Sequence, residues 1–302
     1  MAPVQPLRVG IRLSNIHSSV QPVGGILFPT YLWTVFFKID GDSVNVGVDF
    51  KLHGKAIVAS TPGNHGDLGD NTNQGDVPIP ESLGEFRTVL KPIPITPLQG
   101  QNTAGVIGCV ALLLIQNGTP DEAVAKGHDA LNSAVQDQLD KLILTLGIKK
   151  PAPTPGDIDA MTQAVGDAVT ATITNNVSIW QWLGSLGNED SKVNSAVFRF
   201  SHNDLANADP TGLPLQFSAS ITVPTTSTFS PTIINTWLLT GLIFADPWDF
   251  SLSRTLAFLR LNPADGIRTP MSRAGVSSAR SWIISTSPTF ILQGIAVPGK
   301  SH

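Results

Sequence analysis

Residues 7–16, LRVGIRLSNI, alternate apolar and polar side chains with the short period that a half-buried strand requires. A stronger signal follows at residues 31–52, YLWTVFFKIDGDSVNVGVDFKL, where two β-rich runs flank Asp40-Gly41. Asp-Gly suits the positive φ angles of a type I′ turn, so the pattern predicts a hairpin closed at that dipeptide. Further strands are predicted at 55–60 and 86–93. The unbroken apolar run at 104–115, which contains Cys109, reads as a strand covered on both faces. Between residues 61 and 85 Gly, Pro, Asp and Asn dominate, which predicts loop.

The period changes at Thr119. Thr119-Pro120-Asp121-Glu122 has the form of a capping box with proline at the first helical position. Val124, Leu131, Ala134, Val135, Leu139, Leu142 and Leu146 then mark one helical face, with a gap of one turn at Gly127 and His128. Gly147 stands where a C-terminal cap belongs. The linker at 149–156, KKPAPTPG, is stiff. A second start, Thr154-Pro155 with Asp157, opens a helix whose apolar face is Ile158, Met161, Val165, Val169 and Ile173. Two capped amphipathic helices on a short linker predict an αα-hairpin.

Beyond the helices β periodicity returns at 195–202, 213–223, 232–244, 254–261, 281–287 and 290–297, punctuated by Pro and Gly. The order predicts an α+β or mainly β chain: antiparallel β-sandwich-like sheets with a central inserted αα-hairpin. Its parts are a β-rich stretch at 1–118, a helical insertion at 119–187 and a second β-rich stretch at 188–302. The two β parts can form one domain.

Composition narrows what such a fold carries. Charged residues are 14% of the 302 and the net charge is −4, whereas about 25% of an average soluble domain is charged. A surface filled instead with Ser, Thr, Asn and Gln repels its own kind weakly and tolerates close contact, which points to assembly or protein binding. The pI of 5.8 and the lack of a Lys/Arg stripe argue against a nucleic-acid partner. A single cysteine excludes an intramolecular disulfide. MAPVQPLRVGIRLSN lacks the basic and apolar regions of a secretion leader, so a soluble protein, cytoplasmic or non-classically released, is expected. No apolar run reaches the roughly 20 residues of a spanning helix, so no integral membrane segment is expected.

The stretch at 64–76, NHGDLGDNTNQGD, is the one that invites a metal. Asp67, Asp70 and Asp76 are its candidate donors, and calcium, which asks only for several oxygens in reach, is the candidate cation. Counted from Asp70, Gly75 and Glu81 match the glycine and the terminal acid of a helical calcium loop. Thr72 and Gln74 miss its inner ligands, however, and Pro78 and Pro80 oppose an exiting helix. Short polar residues of a turn explain the same composition. Trp180, Trp182 and Trp248 are candidate ligand-binding residues, as a stacking platform for a flat ligand, with core packing the plainer account. His65 and His128 are placed to meet in space, beside Asp67 or Asp129. Asp204 with Asp209 and Asp246 with Asp249 are carboxylate pairs in loops, where turn chemistry serves equally.

No nucleophile elbow, phosphate loop or dinucleotide fingerprint occurs, and Cys109 sits among apolar neighbours. The expectation is therefore a non-enzymatic binding or assembly protein, a homo-oligomer or a binder of other proteins, with no cofactor other than calcium. A second reading has the helical hairpin leave the β scaffold and enter a bilayer, as pore-forming proteins do. A third is a calcium-dependent enzyme or binding module centred on 64–76.

Overall fold

The computed structural model describes residues 4–21, 27–69, 72–98, 100–147, 154–175, 190–206, 208, 212–223 and 233–246. Along the chain the strands are β1 (Leu7–Gln21), β2 (Thr30–Ile39), β3 (Val44–Val46), β4 (Leu52–Gly54), β5 (Ile57–Ser60), β6 (Gly75–Pro78) and β7 (Glu85–Leu90). They continue as β8 (Ile93–Pro94), β9 (Asn102–Thr103), β10 (Val106–Ile115), β11 (Ser191–Ser201), β12 (Leu213–Val223) and β13 (Ile233–Asp246). The helices are a single turn, α1 (Glu81–Gly84), the long α2 (Asp121–Thr145) and α3 (Pro155–Asn175), and the short α4 (His202–Ala206). The predicted strands at 254–261, 281–287 and 290–297 lie outside the described residues.

The fold is mainly β, with several antiparallel sheets and a few helices. One sheet runs β12-β13-β1-β6, with β7 also on β1. β1 is long enough to serve three neighbours: Arg8–Gln21 pair with β13, with a register shift between Leu13 and Asn15, and on its other side Leu7–Arg12 pair with β7 and Asn15–Ser18 with β6. A second sheet runs β11-β10-β2-β5.

Alternation along β2 and β10 explains why both read as continuous apolar runs. Successive side chains point to opposite faces, and here every residue of both strands is buried. Leu32, Phe36, Ile107 and Cys109 join Ile11, Leu215 and Leu239 of the other sheet in one core. Trp33, Val35, Val110 and Leu112 face the other way, into a core completed by Val124, Leu131, Val135, Leu139 and Ile143 of α2 and by Val165 and Val169 of α3. Each such side chain contributes roughly 1.5–3 kcal/mol on burial. Of the predicted face of α2, Val124, Leu131, Val135 and Leu139 are buried and Ala134, Leu142 and Leu146 partly so, while Ile143, outside that prediction, is buried too; Gly127 and His128 fill the one-turn gap.

Several local expectations are corrected. Asp40-Gly41 does not close a hairpin, because β2 pairs with β10 and β5 while β3 pairs with β4. Gly41 lacks the positive φ of a type I′ turn; instead Asp40 turns its side chain into the protein, as described below. The 61–85 stretch contains β6 and α1 as well as loop. At the start of α2 there is no side-chain cap: the Thr119 hydroxyl accepts from Asp190 N, and Glu122 pairs with Lys126 one turn on. The second start behaves as predicted. Thr154 N donates to Asp157 Oδ2 at 2.9 Å and Asp157 N donates to Thr154 Oγ1 at 3.3 Å, a reciprocal cap with Pro155 at the first helical position. α2 ends at an extended Leu146, and Gly147 forms a bridge to Lys51 rather than a left-handed cap. Among the described residues no helix is long and apolar enough to cross a membrane.

Candidate functional site

Asp67 and Asp76 of the 64–76 stretch lie in separate places. Asn64 to Leu68 form a 3-10 turn in which Asp67 Oδ2 accepts from Asn64 N at 2.8 Å, so this carboxylate caps its own turn. Asp76 lies on β6, where its Oδ1 is 2.9 Å from His17 Nδ1 and accepts from Asn15 Nδ2 at 2.8 Å. Those hydrogen bonds hold its carboxyl below the usual range, the His17 contact being the larger cause. Asp70 lies outside the described residues, as do Trp180, Trp182 and Trp248. Among the described residues no group of three or more His, Cys, Asp or Glu side chains is arranged to hold a metal ion. Asp204 caps α4 by accepting from Ser201 N and Ser201 Oγ.

His65 turns away from Asp67, inward. Its Nε2 is 2.5 Å from Asp190 Oδ2 and its Nδ1 is 2.7 Å from Asp121 Oδ1. Asp190 is fully buried, whereas the Asp121 side chain is 78% exposed, so the imidazole spans from solvent to interior. Asp190 is the hub. Its Oδ2 also accepts from the Tyr31 hydroxyl at 2.9 Å, and its Oδ1 accepts from Asn117 N at 2.5 Å and from Thr119 N at 3.2 Å. A carboxylate offers about four acceptor positions, and four donors or ring nitrogens occupy them here. Burial, and then the Asp190 charge, push the Tyr31 phenol far above its ordinary pKa, so it stays a donor.

A row of rings leads away from this hub. Tyr31 and Trp33 lie two apart on β2 and so share a face. The Tyr31 ring meets His65 edge-on at 4.8 Å and Trp33 at 6.0 Å, and Trp33 lies 5.5 Å from His128. The two histidines therefore sit at opposite ends of a four-ring row and do not touch through Asp67 or Asp129. Trp33 Nε1 donates to Gly63 O at 3.1 Å. Gly63 approaches His128 so closely that an added Cβ would lie 2.4 Å from the ring. The row knits β2, the 63–68 turn and α2 together.

A second charged cluster is also internal. Lys38, at the end of β2, is 5% exposed and donates to Asp40 Oδ2 at 2.9 Å, to Asp42 and to Val89 O at 3.0 Å. Asp40, with no exposed side-chain surface, accepts in addition from Lys91 N and Asp42 N. Hydrogen bonds from Lys38 and Lys91 hold the Asp42 carboxyl below its usual range. Nearby, His202 Nδ1 accepts from Gly105 N and its Nε2 lies 2.9 Å from Leu90 O, the arrangement of a neutral ring that donates through Nε2.

Burial pushes His128 and His202 below the usual histidine range, and the backbone groups they face only partly offset it. In the unfolded chain both rings return to about 6.5 and bind protons first, so stability is full above that pH and is lost as pH falls below it. The urea midpoint is expected to drop between about pH 7 and pH 5, ahead of carboxylate titration. His202→Gln keeps an acceptor for Gly105 and a donor for Leu90, and should flatten that slope. An equally steep profile in the variant rules the assignment out.

Chemically, an imidazole between two carboxylates resembles a general-base arrangement, but every partner on the buried side belongs to the fold. Cys109 is buried, and burial raises its thiol well above the ordinary range. What lies at the surface is different in kind. β12 ends the five-stranded sheet, with no further strand beside it among the described residues. Its eleven residues, LPLQFSASITV, carry no charge. Leu215, Phe217 and Ala219 point inward, and Gln216, Ser218 and Ser220 point out. Asn194 Nδ2 reaches one edge carbonyl, Ser218 O, at 3.4 Å.

The sequence reading missed Asp190, Tyr31 and Asp121, and also the Lys38–Asp40 pair. The signals were slight: Tyr31 is the only tyrosine in the chain, and Lys38 and Asp40 interrupt an otherwise apolar strand end. Comparison of the chain with known protein families, characterised proteins and solved structures finds no match.

Proposed function

We propose that this is a non-enzymatic binding and assembly protein that joins to a second copy of itself through the β12 edge. The reading is carried by one observation: β12 is uncharged and, among the described residues, no further strand pairs with its outer side. Proteins that stay monomeric interrupt such edges with lysine, proline, bulges or covering segments. β12 has one proline, Pro214, next to its first residue, and no charge. Antiparallel pairing of two β12 strands about a two-fold axis is self-complementary and closes both edges. Gln216, Ser218 and Ser220 are neutral partners for their symmetry mates.

The same reading treats the two main sheets as a sandwich with residues 119–187 inserted as a helical hairpin. Support comes from the core the sheets share, and from the β1–β13 and β10–β11 pairings, which tie 1–118 to 188–302.

Sedimentation velocity over a hundredfold concentration range is expected to show a monomer–dimer equilibrium. Ser218→Lys with Ser220→Lys should shift it toward monomer by about tenfold or more, since like charges then face each other across the joint. A wild-type chain that stays monomeric throughout, or a variant that dimerises equally well, removes the proposal.

A further inference from the structure

The five-stranded sheet has a second feature, independent of its edge. Near one end of β1 and β13, three inward side chains are polar in an apolar core. Asn235 has no exposed surface, Ser18 is 1% exposed and Trp237 is 2% exposed. Ser18 Oγ, Trp237 Nε1 and both Nδ2 and Oδ1 of Asn235 make no hydrogen bond in the structure. Buried polar atoms are nearly always bonded, so four bare ones in neighbouring positions need a reason.

The register makes them one group. Ser18 is directly opposite Trp237, and Asn235, two residues before Trp237, is opposite Val20. On the other side of β13, Trp237 faces Ala219 and Asn235 faces Ile221. The indole thus has small residues, Ser18 and Ala219, on both flanking strands. Ile16, Val20, Ala219 and Leu239 continue the same buried face with no polar atom in their side chains. The next positions outward satisfy themselves: Ser19 Oγ and Thr236 Oγ1, on the opposite face, are 2.6 Å apart.

We propose that Ser18, Asn235 and Trp237 form an internal site for a small uncharged ligand bearing an amide group. The atoms define the chemistry. Trp237 Nε1 can only donate, Asn235 offers a donor and an acceptor side by side, and Ser18 can do either. A second amide complements that set, its carbonyl accepting from Asn235 Nδ2 and Trp237 Nε1 while its N–H donates to Asn235 Oδ1. None of the three carries a charge, and their neighbours on this face are apolar. An ion would lose its hydration here without a counter-charge, so the site selects for a neutral molecule.

The test uses the full chain, labelled with nitrogen-15 at tryptophan, with N-methylacetamide as probe. Acetate and methylammonium serve as charged counterparts of similar size. Trp237→Phe identifies the Trp237 indole resonance. That resonance is expected to move saturably with N-methylacetamide, and at least tenfold less sensitively to either ion. Asn235→Leu should weaken the probe at least tenfold. Ser18→Ala, a gentler change, should weaken it severalfold and covers the case in which Asn235→Leu does not fold. Absence of saturable movement, equal response to acetate, or unchanged affinity in the Ser18 and Asn235 variants overturns the site. So does an indole proton whose only persistent contact at saturating probe is bulk-exchanging water. None of these outcomes depends on whether β12 pairs with a second copy, which sedimentation reads separately.

Discussion

Asp190→Ala is expected to lower folding stability by about 3–5 kcal/mol, the range found when one partner of a buried charged network is removed. The carboxylate is the common acceptor for Tyr31, Asn117 N and Thr119 N, and it holds one ring nitrogen of His65. Its loss takes the acceptor from a phenol and a ring that are both buried, and each such group costs about 1–3 kcal/mol to leave unsatisfied. Asp190→Asn keeps the shape and one carbonyl oxygen but sets an amide N–H against donors, so an intermediate loss is expected. Urea denaturation followed by circular dichroism measures both. A loss under about 1 kcal/mol for the alanine variant would mean that the hub does not hold β2, the 63–68 turn and the start of α2 together.

The second large effect is expected at Lys38. Lys38→Met retains the length of the side chain but leaves the buried Asp40 carboxylate without its counter-ion, at a cost of about 3–5 kcal/mol. Adding Asp40→Asn removes the uncompensated charge and keeps one oxygen, which can accept from Lys91 N or from Asp42 N but not from both, since the two donors meet different carboxylate oxygens. The double variant should therefore be more stable than Lys38→Met alone. Additive losses in the same denaturation experiment would show that the two side chains act separately. Lys91 and Asp42, half-exposed and partly exposed, form the rim of this cluster, and solvent screens their share.

How much of this was legible follows from which interactions are local. β10 was readable because ten consecutive buried positions leave an unmistakable apolar run. The α3 cap was readable because Thr154 and Asp157 are three residues apart and bond to each other. β12 was readable from its alternation. The start of α2 was misread for the opposite reason: Thr119 fits a local cap, but a partner distant in sequence, Asp190, has taken its hydroxyl. Asp40-Gly41 fits a hairpin, but β2 finds its partners in β5 and β10, and the aspartate is recruited to Lys38. The His65–Asp190 contact joins residues 125 apart, and no spacing within one segment announces that. Asp67 and Asp76 looked like a set because they are close in sequence, yet one caps a turn and the other lies on a strand beside His17.

The pairing of β1 with β13 sets Arg8 against Asp246 and Gln21 against Ile234. On a ribosome the first long strand therefore emerges well over two hundred residues before the neighbour that pairs with Arg8–Gln21. Until then the sheet neighbours of Val9, Ile11, Leu13 and Ile16, all hidden in the finished molecule, are the short β6 and β7 among the described strands. Ring closure over so long a stretch is slow, and waiting apolar strands are prone to stick to other chains. Completion of this sheet thus depends on what shelters β1 until β13 has been made.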